Sequence, residues 1–183
     1  MAGLLMIVSM RRGESSSPGI RVVWNYVTVG LAVTLLSTAL LISPWPALAN
    51  DDLDRLLALA EAPQGVVFEI VESDEDALEA LLPRVRSMIE RVRARFPQTE
   101  FAVVSHGREE FALQSKYQGE HAEIHQQVQS LVADEVPVHV CETHAGWYGV
   151  TAEDFPRYVN VAPTGPGQIR LYEELGYELI VLD

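Results

Sequence analysis

Five short apolar segments alternate with helical segments along most of this chain, and this alternation limits the fold more than any other feature. The apolar segments are too short for helices, and most are continuously apolar rather than alternating with polar residues. Strands have this pattern when helices cover a parallel sheet on both faces. We therefore predict a three-layer α/β fold, with a mostly parallel five-stranded sheet and helices on both faces. The predicted strands are residues 65–71, 100–106, 136–141, 158–162 and 177–182.

Apolar residues at spacings of three and four predict the helices between these strands. The longest follows Ser73, has its apolar residues from Leu78 to Val92, and carries arginines in its second half. Ser73 is its predicted N-cap, and the three acidic residues that follow Ser73 suit the positive end of a helix. Pro83 is expected to kink or divide this helix. The other predicted helices are 51–61, a short 109–114, 120–133, a short one capped by residues 151–154, and one from Pro166 to Gly176.

Residues 1–49 have the layout of a secretory signal. Arginines precede an uncharged, mostly apolar run over residues 22–42, and a Pro-Trp-Pro segment then leads to Ala47-Leu48-Ala49. This small-x-small pattern predicts a signal peptide cleaved after Ala49. The alternative is an uncleaved membrane anchor, because the run is close to the roughly 20 residues that a membrane helix needs. Both interpretations place the domain at 50–183 outside the cytoplasm, in the periplasm or at the cell surface.

Charge and cysteine content exclude several classes of function. The chain has 26 acidic and 13 basic residues, and its net charge of −13 repels phosphate backbones and anionic membrane surfaces. We therefore expect no nucleic-acid partner, and membrane contact only through an uncleaved N-terminal segment. A single cysteine excludes an intramolecular disulfide, a CxxC motif and a four-cysteine zinc site. The sequence also has no glycine-rich phosphate loop and no GxSxG motif.

Reactive side chains cluster at the end of the third predicted strand. Open parallel sheets bind ligands beyond the carboxyl ends of their strands. This strand ends at His139-Val140-Cys141, and His144 follows three residues later. A thiolate is both a nucleophile and a metal ligand, and nearby imidazoles and a helix start favour that form. Because residues two apart on a strand share a face, His139 is expected beside Cys141. The candidate catalytic residues are therefore Cys141, His144 and His139, with Glu142 as a partner that orients an imidazole.

Two other interpretations of this cysteine stay open. A lone cysteine after a strand is often a small buried apolar residue. Alternatively, Cys141 and His144, together with His139 or His106, supply the sulfur and nitrogen ligands that suit copper(I), zinc or iron. The sequence does not identify a cofactor.

His121 and His125 form a second, weaker candidate site. They lie four residues apart, so they share one face of the predicted helix over 120–133, and metal sites use this spacing. An HExxH motif is missing and no third ligand is evident nearby, so a surface helix without a metal is the simpler interpretation.

Several motifs toward the C-terminus occur in a recognisable order. An apolar strand ends in Cys141, and the segment Gly149-Val150-Thr151-Ala152-Glu153-Asp154-Phe155 follows. A further strand leads to Pro163-Thr164-Gly165, and a helix then leads to the closing Glu-Leu-Gly-Tyr-Glu-Leu-Ile of residues 174–180. In this order of motifs, residues 136–182 resemble the C-terminal half of the DsrE/DsrF-like sulfur-relay family.

That resemblance implies a mostly parallel five-stranded α/β domain that assembles into trimers or hexamers. It also implies that a cysteine placed like Cys141 carries sulfur as a persulfide. Our leading hypothesis is an exported DsrE-like sulfur carrier or sulfurtransferase, with sulfur donor and acceptor proteins as partners. The alternatives are a metal-binding Cys/His protein and a non-catalytic module that forms oligomers.

Overall fold

A computed structural model describes residues 51–182. Its centre is a single five-stranded sheet in which every neighbouring pair of strands is parallel. The predicted three-layer α/β fold is confirmed, and the sheet is wholly parallel rather than mostly so. The strand order across the sheet is β4-β3-β2-β1-β5. The strands are β1 (Gly65–Ile70), β2 (Glu100–Ser105), β3 (Val138–Cys141), β4 (Asn160–Ala162) and β5 (Tyr177–Leu182).

Five α-helices and three short 3₁₀ helices connect the strands within the described residues. The α-helices are α1 (Asp51–Leu57), α2 (Leu78–Arg95), α3 (Ala122–Ala133), α4 (Glu142–Trp147) and α5 (Gly165–Glu174). The 3₁₀ helices are Arg108–Leu113, Ser115–Tyr117 and Ala152–Asp154. Gly176 follows α5 with a φ of 88°, a left-handed conformation that ends a helix at little cost for glycine.

The path of the chain explains the three layers. Each strand from β1 to β4 lies beside the strand before it, so the chain crosses the sheet in one direction. The chain then returns across the sheet, and β5 pairs with β1. Crossovers between parallel strands are right-handed, so outward and return connections lie on opposite faces. Accordingly α1, α2 and α3 share one core, which includes Leu53, Val85 and Ile124. The return helix α5 packs through Ile169 on a smaller core on the other face.

The structure corrects several predicted boundaries. Ser73 is not the N-cap of α2: the helix begins after Ala77, and the carboxylate of Asp74 instead accepts a hydrogen bond from the backbone nitrogen of Asp76 at 3.1 Å. This local turn competes with the helix for its first residues. Pro83 does not divide α2, which is continuous because seven of its residues are buried. Strand β3 begins at Val138 rather than 136, and α1 ends at Leu57.

The predicted signal peptide or anchor lies outside the described residues. Within residues 51–182, no helix combines the length and the apolar content that crossing a membrane requires. Cleavage after Ala49 and location outside the cytoplasm therefore remain predictions from the sequence.

Candidate functional site

Cys141 lies where β3 ends and α4 begins. Its side chain caps α4, with Sγ accepting a hydrogen bond from the backbone nitrogen of His144 at 3.3 Å. The cysteine is only 4% exposed, so its burial agrees with the interpretation of Cys141 as a buried residue. Its surroundings are nevertheless polar, because the backbone nitrogen of Cys141 donates to a carboxylate of Glu110 at 2.7 Å.

Glu110 connects the cysteine to His144. One carboxylate oxygen accepts the Cys141 backbone N–H, and the other lies 2.8 Å from Nδ1 of His144. The side chain is fully buried, and burial raises its pKa to about 7 even though both hydrogen bonds favour the charged form. Glu110 therefore exchanges a proton near neutral pH. The structure gives His144 this buried partner and leaves Glu142, the expected partner, exposed.

A second buried carboxylate, Glu109, holds the neighbouring strand ends. Its oxygens accept hydrogen bonds from the Ser105 hydroxyl at 2.8 Å, the Gly107 nitrogen at 3.0 Å and the Glu72 nitrogen at 2.7 Å. Ser105 ends β2, and Glu72 follows β1, so one side chain joins the carboxyl ends of two strands. Gly107 has to be glycine, because a Cβ there would lie 2.4 Å from the Glu109 carboxylate and 2.6 Å from the Glu72 nitrogen.

Neither Glu109 nor Glu110 was predicted as a site residue. The only signal was a pair of acidic residues directly before the apolar run Phe111-Ala112-Leu113, in a segment interpreted as a short helix. The structure buries that segment as a 3₁₀ helix, together with both carboxylates. The two adjacent acidic residues at the start of this apolar run are therefore buried carboxylates rather than exposed residues at a helix start.

Aromatic rings surround His144. Its imidazole stacks on Phe111 with ring centres 5.4 Å apart, and it meets Trp147 and Tyr148 edge-on at 5.7 and 5.3 Å. Trp147 is 75% exposed, and Tyr148 is exposed as well. The Cys141–Glu110–His144 group therefore has solvent-facing aromatic side chains at its outer border.

The other predicted histidines have hydrogen-bond partners of their own. Nε2 of His139 bonds the Tyr172 hydroxyl of α5 at 2.9 Å, and burial lowers its pKa to about 4, so this imidazole is neutral at physiological pH. His106 bonds Glu69 at 2.8 Å and packs on Gly165, where a Cβ would come within 2.5 Å of it. The structure brings Cys141 together with His144, and pairs His139 and His106 with other groups.

The alternative metal-ligand set is not assembled. Within residues 51–182, Asp76, Glu79 and His121 are the only three His, Cys, Asp or Glu residues whose ligand atoms all lie within 4.8 Å of one another. Cys141, His144, His139 and His106 do not form such a group. The predicted pair of His121 and His125 also separates, because His125 is buried and its Nε2 bonds the Ala112 carbonyl at 3.0 Å.

Cys141 also lies where the connections that follow β3 and β4 leave the sheet toward opposite faces. After β3 the chain runs through Ala145 and Phe155, which belong to the larger core, whereas after β4 it enters α5 on the opposite face. Ligands of open α/β sheets bind where two neighbouring strands send their connections to opposite faces. Cys141 lies at this point, in register with Ala162 of β4. Thr143 bridges the two connections, with its nitrogen and Oγ1 both donating to the Pro163 carbonyl at 3.2 and 2.8 Å.

Comparison with known proteins supports the fold alone. No family model and no curated protein matches the chain. Among solved structures, it is similar to the protein of unknown function MTH1491 from Methanobacterium thermoautotrophicum, with a TM-score of 0.51 and 24% identity. The match covers 64% of this chain and 97% of that chain. A structural match at this identity agrees with the architecture and assigns no activity.

Proposed function

We propose that this protein carries sulfur as a persulfide on Cys141, and that Glu110 and His144 manage the proton during transfer. The observation that carries the proposal is the position of Cys141 at the switch point of the sheet, hydrogen-bonded to the His144 backbone and joined to His144 through Glu110. The resemblance of residues 136–182 to the sulfur-relay family supports the same role for this cysteine.

The chemistry transfers a sulfur atom without net oxidation. The Cys141 thiolate attacks the outer sulfur of a donor persulfide, a bond forms between the two sulfurs, and the sulfur–sulfur bond of the donor breaks. The Cys141 thiol first gives its proton to the Glu110–His144 pair, and the electron pair of the broken bond then leaves on the donor thiolate, which takes up that proton. In the second step an acceptor thiolate attacks the outer sulfur on Cys141 and regenerates the Cys141 thiolate.

The buried sulfur favours storage of a persulfide over its loss. A persulfide exposed to solvent is readily oxidised or attacked by free thiols. At 4% exposure Cys141 is shielded from such reactions, and the exposed Trp147 and Tyr148 border the His144 side of the group. We therefore expect Cys141 to react more slowly with iodoacetamide in the folded protein than after unfolding.

The expected result with a sulfane-sulfur donor is a gain of one sulfur atom on the peptide that contains Cys141. The measurement is mass spectrometry after incubation with inorganic polysulfide and mild alkylation, and reduction should reverse the gain. Cys141→Ser is the matched control, because it changes one atom and removes the only thiol. Complete alkylation of the unfolded wild-type protein shows that its thiol is intact. If such protein gains no sulfur from polysulfide while folded, the sulfur-carrier proposal is wrong.

Assembly into a homo-oligomer, a trimer or hexamer by the same resemblance, is also part of the proposal. It is supported by α5, the return helix that covers its face of the sheet and leaves Leu171 54% exposed and Leu175 65% exposed. Exposed neighbouring apolar side chains of this size are typical of protein–protein contacts.

We expect native mass spectrometry to show a trimer or hexamer, and Leu171→Glu to shift the population to monomer. A carboxylate at the contact would be desolvated without a partner, which costs several kcal/mol at a buried position. Val71→Glu is the matched control, because Val71 is 48% exposed and follows β1 rather than lying on α5. A wild-type protein that is monomeric at micromolar concentration would contradict assembly.

A further inference from the structure

We infer that Asp76, Glu79 and His121 form a binding site for a divalent transition-metal ion, with Zn²⁺ as the probe that tests it. Their ligand atoms, two carboxylate oxygens and one imidazole nitrogen, all lie within 4.8 Å of one another. This group is separate from Cys141 and independent of the proposed sulfur chemistry.

The backbone places the two carboxylates on one side. Asp76 directly precedes the N-cap of α2, and Glu79 is the second residue of that helix. The Glu79 nitrogen donates to the Asp76 carbonyl at 3.0 Å, so a closed turn fixes the spacing of the two residues. Residues three apart on such a turn project to the same side.

A different element supplies the imidazole. His121 is the N-cap of α3, and its nitrogen donates to the Tyr117 carbonyl at 2.8 Å. The Tyr117 ring meets the imidazole edge-on with ring centres 6.1 Å apart. The side chain of His121 is only 14% exposed, so its orientation is set by packing rather than by solvent.

The spacing of the three ligand atoms is close to the spacing that a metal ion needs. Nδ1 of His121 lies 3.6 Å from Oδ1 of Asp76, which is long for a hydrogen bond. Zinc ligands at about 2.0–2.1 Å from a tetrahedral ion lie about 3.3 Å from one another, so small side-chain shifts would complete the geometry. The three ligands leave a fourth position for water.

The dipole of α2 explains the two carboxylates of this group but not its imidazole. Carboxylates at the first turn of α2 are favoured by the helix dipole whether or not a metal binds. The dipole does not account for the third side chain, the His121 imidazole, which a different helix places 3.6 Å from the Asp76 carboxylate. An ion pair accounts for the contact of His121 with Asp76, whereas a cation shared by all three side chains also accounts for the position of Glu79.

The test is isothermal titration of the purified full chain with Zn²⁺ alone. Wild-type protein should bind saturably, and His121→Asn and Asp76→Asn should each weaken that binding by about tenfold or more, since each removes a direct ligand. Asparagine is a favourable N-cap, so His121→Asn should keep α3. Glu120→Gln is the matched control: it removes one exposed charge beside the site, and it should change the affinity less than about twofold because it removes no ligand.

A second readout separates this site from zinc held by the Cys141 thiol. Zinc should raise the melting temperature of the wild type and of Glu120→Gln, and raise it much less in His121→Asn. Zinc bound only to the thiol would be lost in Cys141→Ser and unchanged in His121→Asn, which overturns the inference. The absence of saturable binding by the wild type, or equal affinity of the wild type and both ligand variants, also overturns it.

Discussion

Glu109→Ala should lower the free energy of unfolding by about 4 kcal/mol, which makes it the most destabilising single substitution that we expect at the site. The change removes one carboxylate that accepts three hydrogen bonds, from the Ser105 hydroxyl and from the backbone nitrogens of Gly107 and Glu72. Each buried donor left without an acceptor costs about 1–3 kcal/mol. The loss is concentrated at the carboxyl ends of β1 and β2, which Glu109 joins.

Urea denaturation followed by circular dichroism measures this effect. Glu109→Gln should lower the free energy of unfolding less than Glu109→Ala does, because the amide oxygen of glutamine still accepts a hydrogen bond. The amide nitrogen of glutamine faces a donor, so part of the loss remains. Glu90→Ala is the matched control: it makes the same chemical change at an exposed position of α2, and it should fall within about 0.5 kcal/mol of wild type. A loss below about 1 kcal/mol for Glu109→Ala would show that the carboxylate does not hold these strand ends together.

Stability should fall as the pH rises through about 7, and Glu110→Gln should remove this contribution. Burial raises the pKa of Glu110 from 4.5 to about 7, so the folded state binds its proton more tightly than the unfolded state. The resulting stability is fully present below pH 4.5 and is lost as the pH rises to about 7. The loss between these limits is on the order of 3 kcal/mol at most.

The measurement is the free energy of unfolding of wild type and Glu110→Gln at a series of pH values from 4.5 to 8. The difference between the two proteins isolates Glu110 from the other titrating groups. Glu142→Gln is the control: it removes an exposed carboxylate next to Cys141 and should keep the wild-type dependence. Parallel curves for wild type and Glu110→Gln would mean that Glu110 is ionised in the folded protein throughout this range.

Most of the fold could be predicted from the order of apolar segments. All five strands were found in sequence, because continuously apolar segments of strand length separated by amphipathic helices have few other solutions. The errors lie at element ends, where single contacts decide. Pro137 has no N–H for a sheet, and the Val136 nitrogen donates to Leu131 of α3 instead, so β3 begins two residues later than predicted.

The site was predictable only in part. Cys141 and His144 were found because both follow one strand end, and positions close in sequence remain close in space. The partner of His139, Tyr172 of α5, was not predicted because it lies on a helix 33 residues further along the chain. Glu110 was missed for the same reason: its two partners, Cys141 and His144, lie 31 and 34 residues further along the chain.

By itself, the sequence determined the wholly α/β character of the described domain, the succession of its strands and the location of its only thiol at a strand end. These properties follow from local periodicity and from the steric rules of parallel crossovers. Only the tertiary structure decided that two adjacent glutamates are buried and that His121 faces Asp76 and Glu79. Each buried carboxylate needs at least one donor from a distant segment, Glu72 for Glu109 and Cys141 for Glu110, and no local pattern records where those donors will be.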